Sequence, residues 1–221
     1  MQSFSHCFLR RRTLFGWALA LLLYHGYAAA AIEETASDRQ RLLVLGDSIS
    51  AAYGMSLEQG WVSMLADSLG PHGKWKVVNA SISGETSRGG LRRLPDLLQE
   101  HRPSLVIVEL GGNDGLRGYP VQKLAENLAQ MTRLSRAAGA RVIIVPMEIP
   151  PNYGPRYTAQ FRQTFADVAE SEGATLSPFI LESVATQASL MQPDGIHPTV
   201  EAQQKLLDTM LPTILAELAQ L

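Results

Sequence analysis

Leu42-Leu43-Val44-Leu45-Gly46-Asp47-Ser48 is the stretch that decides the fold class of this 221-residue chain. Four consecutive apolar residues leave no polar face, which suits a strand covered on both sides by helices. Gly46 ends the run, and two small polar residues follow. The pattern recurs downstream. Val77-Val78 stops at Asn79, Leu105-Val106-Ile107-Val108 leads to Gly111-Gly112, and Val142 to Val145 forms a fourth run. Gly173-Ala174-Thr175-Leu176 leads into a weaker fifth strand. Between the runs the spacing turns helical: Trp61 to Leu69, Leu91 to Glu100 ahead of Pro103, Val121 to Ala138 with Leu124, Leu128 and Met131 on one face, and Tyr157 to Glu172. A last helix runs from Thr199 to Leu211, started by Pro198 and broken or restarted at Pro212. This alternation predicts an α/β domain whose mainly parallel five-stranded sheet carries helices on both faces. In such sheets, ligands sit beyond the carboxyl ends of the strands.

Upstream of the first strand the chain is of another kind. Arg10, Arg11 and Arg12 precede an apolar run from Thr13 to Leu23, and Ala28 to Ala31 follow. A positive region, a short apolar run and small residues predict a cleaved signal peptide over 1–31. A membrane span needs about 20 apolar residues, more than this run supplies. Residues 32–40 read as a linker, and 41–221 as a single domain. Three arginines leave with the signal, so nineteen basic residues become sixteen against twenty-one acidic ones, a balance of −5. That excludes a dedicated nucleic-acid surface and gives no reason for an anionic-membrane one. Cys7, the one cysteine, also leaves, so neither disulfides nor thiol chemistry are expected. The expected product is a periplasmic or secreted protein, monomeric, without a membrane anchor, metal or cofactor.

The polar loops after the strands hold the candidate site. Gly46-Asp47-Ser48-Ile49-Ser50 follows the first strand, Ser81-Ile82-Ser83-Gly84-Glu85 the second, and Gly111-Gly112-Asn113-Asp114 the third. Asp194-Gly195-Ile196-His197-Pro198 precedes the last helix. A serine needs a base to become a nucleophile, and histidine is the usual one. The mature chain has His72, His101 and His197. His72 lies in a Pro-His-Gly turn, and His101 ends a helix, where a cation suits the terminus. His197 lies in a loop, and Asp194 three residues earlier can fold back to orient its ring. Donors for an oxyanion are the backbone N–H groups of Ser48 and Gly84 and the side-chain amide of Asn113. Ser48, Ser50, Ser81, Ser83 and Ser87 compete as nucleophile. Asp47 reads as a brace for its loop.

These blocks resemble the SGNH (GDSL-type) hydrolases: Gly46-Asp47-Ser48, Gly84, Gly112-Asn113-Asp114 and Asp194-x-x-His197, together spanning nearly the whole mature chain. Ile49 stands where that signature often has leucine. The resemblance implies a flavodoxin-like three-layer α/β/α sandwich. It implies Ser48, Asp194 and His197 as a catalytic triad, with Ser48, Gly84 and Asn113 forming the oxyanion hole. Ala51-Ala52-Tyr53-Gly54-Met55 and Ile149-Pro150-Pro151-Asn152-Tyr153-Gly154 are similar to the periplasmic thioesterase/arylesterase/lysophospholipase group of Gram-negative bacteria. That implies carboxylic esters, acyl thioesters and lysophospholipids as substrates. Leu116, Tyr119, Ile149 and Tyr153 are candidates to line an acyl pocket, and Gly115 to Pro120 to form a mobile lip. A carbohydrate acetylesterase of the same family and a metal-dependent phosphoesterase using Asp47, Asn79, Asn113, Asp114, Asp194 and His197 are the alternatives.

Overall fold

The structure, a computed structural model, describes residues 40–70 and 73–221. The expected signal peptide, the expected linker up to residue 39, and His72 lie outside the described residues. Gln40, expected to belong to the linker, is already the first residue of the sheet and pairs with Trp75.

Five strands form the sheet: β1 (Gln40–Gly46), β2 (Trp75–Asn79), β3 (Leu105–Glu109), β4 (Arg141–Ile144) and β5 (Thr175–Leu176). Their order is β2-β1-β3-β4-β5, all parallel, which is the flavodoxin-like order. Leu42 to Leu45 are completely buried because alternate residues meet helices on opposite faces. Leu42 and Val44 pack with Trp61 and Leu65 of α1 (Trp61–Ser68) and with Leu206, Met210 and Ile214 of α6 (Gln203–Leu218). Leu43 and Leu45 pack with α2 (Ser87–His101), α4 (Val121–Ala137) and α5 (Pro155–Glu172) through Leu94, Leu128 and Phe161. The result is a three-layer α/β/α sandwich. A further short helix, α3 (Gly112–Leu116), follows β3.

Two helices depart from the expected bounds. Helix α2 starts at Ser87, four residues before Leu91, because Thr86 caps it by accepting from the Gly89 N–H at 3.2 Å. Gly89-Gly90 depresses helix propensity in that turn and hid it from the spacing. Helix α6 does not break at Pro212 but runs through it to Leu218, after a 3₁₀ turn at Val200–Ala202. Pro212 and Asp208, whose carbonyl loses its helical donor, are both exposed, so that carbonyl is open to solvent and the helix tolerates the proline.

This topology positions the site. After β1 the chain pairs β2 on one side and later β3 on the other, so the strand order reverses at β1. The carboxyl ends of β1 and β3 lie side by side, with Gly46 paired to Glu109. A crevice opens at such a switch point. Ser48 lies two residues past one strand and Asn113 four past the other.

Candidate active site

The loop after β1 is built on buried hydrogen bonds that sort its two serines. Ser50 turns inward: its hydroxyl donates to Glu109 Oε2 at 2.7 Å and accepts from Trp61 Nε1 at 3.2 Å, while its carbonyl accepts from Asn79 Nδ2 at 2.7 Å. Ser48 is turned the other way, towards the cavity. Asp47 braces the turn, Oδ1 accepting from the Ile49 N–H at 3.1 Å and its own N–H donating to Glu109 Oε2 at 3.2 Å. Burial pushes the Glu109 carboxyl well above its ordinary range, and the charge of Asp47 adds to this. Burial also pushes Asp47 up, to about 6, against the bonds from Ile49 and Asn113 that favour its charged form. Two carboxyls this deep do not ionise together, so the structure favours Glu109 as the neutral member. Glu109 is a supporting residue that the sequence reading missed: it ends a wholly apolar run, and nothing in the spacing marks it.

The loops after β2 and β3 are tied to that turn. The Ile82 N–H donates to Gly46 O at 3.1 Å, extending the β1–β2 ladder towards Gly84. Gly84 has φ +77°, which glycine adopts without strain, and its carbonyl accepts from Arg117 Nη2 at 3.1 Å. Ser87 is committed to structure: its hydroxyl and N–H donate to Asp114 at 2.6 and 2.8 Å, joining the starts of α2 and α3. Asn113, in the first turn of α3, donates one amide hydrogen to Asp47 Oδ2 at 3.1 Å. Its second amide hydrogen remains available. Among the described residues, the backbone N–H groups of Ser48 and Gly84 meet no protein acceptor.

The fourth loop completes the constellation. His197 Nε2 lies 2.8 Å from Ser48 Oγ, and His197 Nδ1 lies 2.7 Å from Asp194 Oδ2. A carboxylate can only accept, so Nδ1 carries the hydrogen and Nε2 is left to accept from the Ser48 hydroxyl. Asp194 Oδ1 accepts from the N–H groups of Ile196 and His197 at 2.9 and 3.0 Å. Burial acts to raise the Asp194 carboxyl. The bonds from the His197 ring and from the two backbone N–H groups, with the histidine charge, outweigh it and bring the carboxyl down to about 2. A carboxyl depressed in the folded state adds stability that is present above its ordinary value of 3.8 and lost as pH falls towards 2. The Asp194 side chain is 39% exposed, so the effect is small and salt-sensitive. The urea midpoint is expected to fall further for the unaltered protein than for Asp194→Asn between pH 4 and pH 2.5.

These loops frame a cavity of about 490 Å³. Ser48, Asn113 and His197 lie on its wall. Leu116 and Ile149 line it as expected, beside Met147 and Pro150, and Phe179, Leu181 and Met191 form the other side. Tyr119 and Tyr153, also expected there, are not among its lining residues. The Tyr153 hydroxyl instead donates to Leu116 O from behind, at 2.6 Å. Tyr119 is exposed, and its carbonyl accepts from the Tyr157 hydroxyl at 2.7 Å. Phe179, Leu181 and Met191 lie in the irregular segment after β5, where no periodicity marks an inward face. Gly84 does not line the cavity and is joined to its wall through Arg117, next to Leu116. Glu148, the other carboxylate of the wall, is paired with Arg162 at 2.9 Å. Among the described residues no three His, Cys, Asp or Glu side chains come together as a metal site.

The chain is similar to known proteins over most of its length. The GDSL-like lipase/acylhydrolase family matches residues 44–205. The esterase TesA of Pseudomonas aeruginosa is 49% identical over 92% of this chain and 98% of its own length. The thioesterase 1/protease 1/lysophospholipase L1 of Escherichia coli is 45% identical over 76% of this chain and 80% of its own. A crystal structure of the psychrotrophic esterase EstA from Pseudoalteromonas, inhibited by monoethylphosphonate, superposes with a TM-score of 0.78 at 44% identity, covering 81% of this chain and 99% of that one. With sheet order, loop geometry and nearly whole-length similarity in agreement, this chain belongs to the GDSL-like lipase/acylhydrolase family and is a hydrolase of ester bonds.

Proposed function

We propose that the protein is an exported serine hydrolase that cleaves carboxylic esters and acyl thioesters through an acyl-enzyme on Ser48. The carrying observation is the unbroken relay from Asp194 through His197 to Ser48, at 2.7 and 2.8 Å, opening on an apolar cavity. In this reading Ser48 Oγ attacks the acyl carbon while its proton passes to His197 Nε2. Asp194 holds the ring and offsets the charge of the imidazolium. The carbonyl electron pair moves onto oxygen, which the N–H groups of Ser48 and Gly84 and the amide of Asn113 receive. His197 returns the proton to the leaving alcohol or thiol, and water then repeats the sequence on the acyl-enzyme. No cofactor is needed. The arginine triplet, apolar run and small residues before Ile32 support export to the periplasm or beyond, and the mature chain acts as an unanchored monomer in this reading.

The cavity bears on the substrate. Its volume lies within the range of small-molecule sites, roughly 300–1,000 Å³, and its walls are mostly apolar. That favours acyl chains well beyond acetyl, in keeping with the arylesterase, thioesterase and lysophospholipase names of its relatives. Burying one methylene contributes about 0.8 kcal/mol, close to a fourfold factor. A series of aryl esters and acyl thioesters on the purified protein is therefore expected to show kcat/KM rising up to about fourfold per methylene from acetyl, until the cavity fills. A preference for acetyl over octanoyl esters would favour the carbohydrate acetylesterase instead. Loss of activity in a chelator, with resistance to an organophosphate, would favour the metal-dependent phosphoesterase.

A further inference from the structure

Tyr53 stands out among the residues around the relay. Its ring lies against the His197 imidazole with centroids 4.2 Å apart and planes inclined by 33°. Yet it is 48% exposed, and its hydroxyl has no hydrogen-bond partner among the described residues. Burial and a hydroxyl bond are the usual reasons for an aromatic residue to keep its place. Neither accounts for this one.

The backbone does. The preceding residue, Ala52, has φ +56°, a left-handed conformation that residues with a Cβ adopt only under strain. Ala52 is buried, and its methyl group fits against Gly60, where a Cβ would lie 2.8 Å away. The Tyr53 N–H donates to Ser48 O at 3.1 Å, and its carbonyl accepts from Gln192 Nε2 at 2.8 Å. The Gln192 N–H in turn donates to His197 O at 2.7 Å, and Nε2 also reaches Pro198 O at 3.0 Å. One glutamine thus ties the segment carrying Tyr53 to the segment carrying His197. A strained residue and a bridging side chain hold a half-exposed ring over the imidazole. Strain kept in place by its surroundings is a pointer to function.

The chemistry that follows is specific. When Ser48 Oγ bonds to the acyl carbon, its proton moves to Nε2 and the ring becomes an imidazolium. The negative face of an aromatic ring attracts such a cation, more strongly as water leaves. The charged groups facing His197 are Asp194 on its own loop, Asp47 on the β1 loop, and Glu148 across the cavity, already paired with Arg162. Tyr53 is the aromatic face placed against the ring from the remaining segment.

We propose that Tyr53 is a positioning residue of the hydrolytic site, whose ring face steadies the His197 imidazole and stabilises the imidazolium formed when Ser48 gives up its proton. The proposal rests on the roles assigned above to Ser48 and His197. The test uses the purified protein with Tyr53→Phe and Tyr53→Leu, a soluble aryl ester, and a phosphonate titration that counts reactive Ser48 independently. Tyr53→Phe keeps the face and is expected to retain kcat within about twofold. Tyr53→Leu is expected to lower kcat about tenfold with KM little changed, and to move the acid limb of kcat/KM about half a unit to lower pH. Three results would overturn the proposal: Tyr53→Leu with unchanged kcat and acid limb, equal losses in both variants, or a loss confined to KM. An unaltered protein that takes up no phosphonate at Ser48 would instead sink the serine-hydrolase reading. Thermal unfolding of both variants within a few degrees of the unaltered protein separates the effect from lost folding, and Tyr53→Met replaces the leucine variant if that one unfolds.

Discussion

Ser48→Ala is expected to abolish turnover, lowering kcat by about five to six orders of magnitude while the fold and the cavity persist. The size follows from what the hydroxyl does. Without Oγ no acyl-enzyme can form, and His197 is left 2.8 Å from an empty position with no proton to take. What remains is the catalysis that oxyanion donors and binding can give to attack by water, about a thousandfold over solution. Ser50 and Ser87, committed to other bonds, cannot substitute. Ser50 donates to Glu109 and accepts from Trp61, and Ser87 is held by Asp114. Stability should change little, because Ser48 takes part in no buried side-chain network beyond the histidine. Steady-state kinetics, with circular dichroism as the control on folding, reads both parts.

Asn113→Ala is expected to lower kcat by about 10²–10³ with KM nearly unchanged. The amide is neutral, partly buried and fixed by Asp47, so its free hydrogen needs no reorganisation when charge develops on the substrate oxygen. A ground-state carbonyl asks little of that donor and an oxyanion asks much, which is why the loss falls on kcat. The change also leaves Asp47 Oδ2 without its donor. Asp47 sits beside Glu109 and is pushed to about 6 by burial, so losing a bond that favours its charged form should push it higher still. A further drop in activity on the acid side would trace that coupling, since Asp47 also braces the Ile49 N–H in the turn that carries Ser48.

How far the site could be read beforehand depended on where each residue draws its meaning. The strands were legible because burial on both faces forces runs such as Leu42 to Leu45. Asp194 and His197 were legible as a pair because three residues of loop bring them together. Ser48 was not separable from Ser50 by spacing alone. What separates them is the pull of Glu109 and Trp61 on the second hydroxyl, 59 and 11 residues away in sequence. The same long-range dependence hid Glu109 as a support, Gln192 as a bridge and Phe179 as a cavity wall. Tyr119 and Tyr153 failed as lining residues for the converse reason. They neighbour Leu116 and Ile149 or share their loops, but the bond from the Tyr153 hydroxyl to Leu116 O directs that side chain behind the wall. Pro212 misled because a proline's effect on a helix depends on whether the orphaned carbonyl faces water.

The central claim is that Ser48, activated by His197, is the residue that becomes acylated. Peptide mapping by mass spectrometry after stoichiometric treatment with a reactive phosphonate tests it most directly, since phosphorus then stands in for the acyl carbon. One adduct per chain is predicted, on Ser48, forming at least a thousandfold more slowly in a His197→Ala variant. Adducts on Ser50, Ser81, Ser83 or Ser87, or labelling of Ser48 that proceeds equally well without His197, would contradict it.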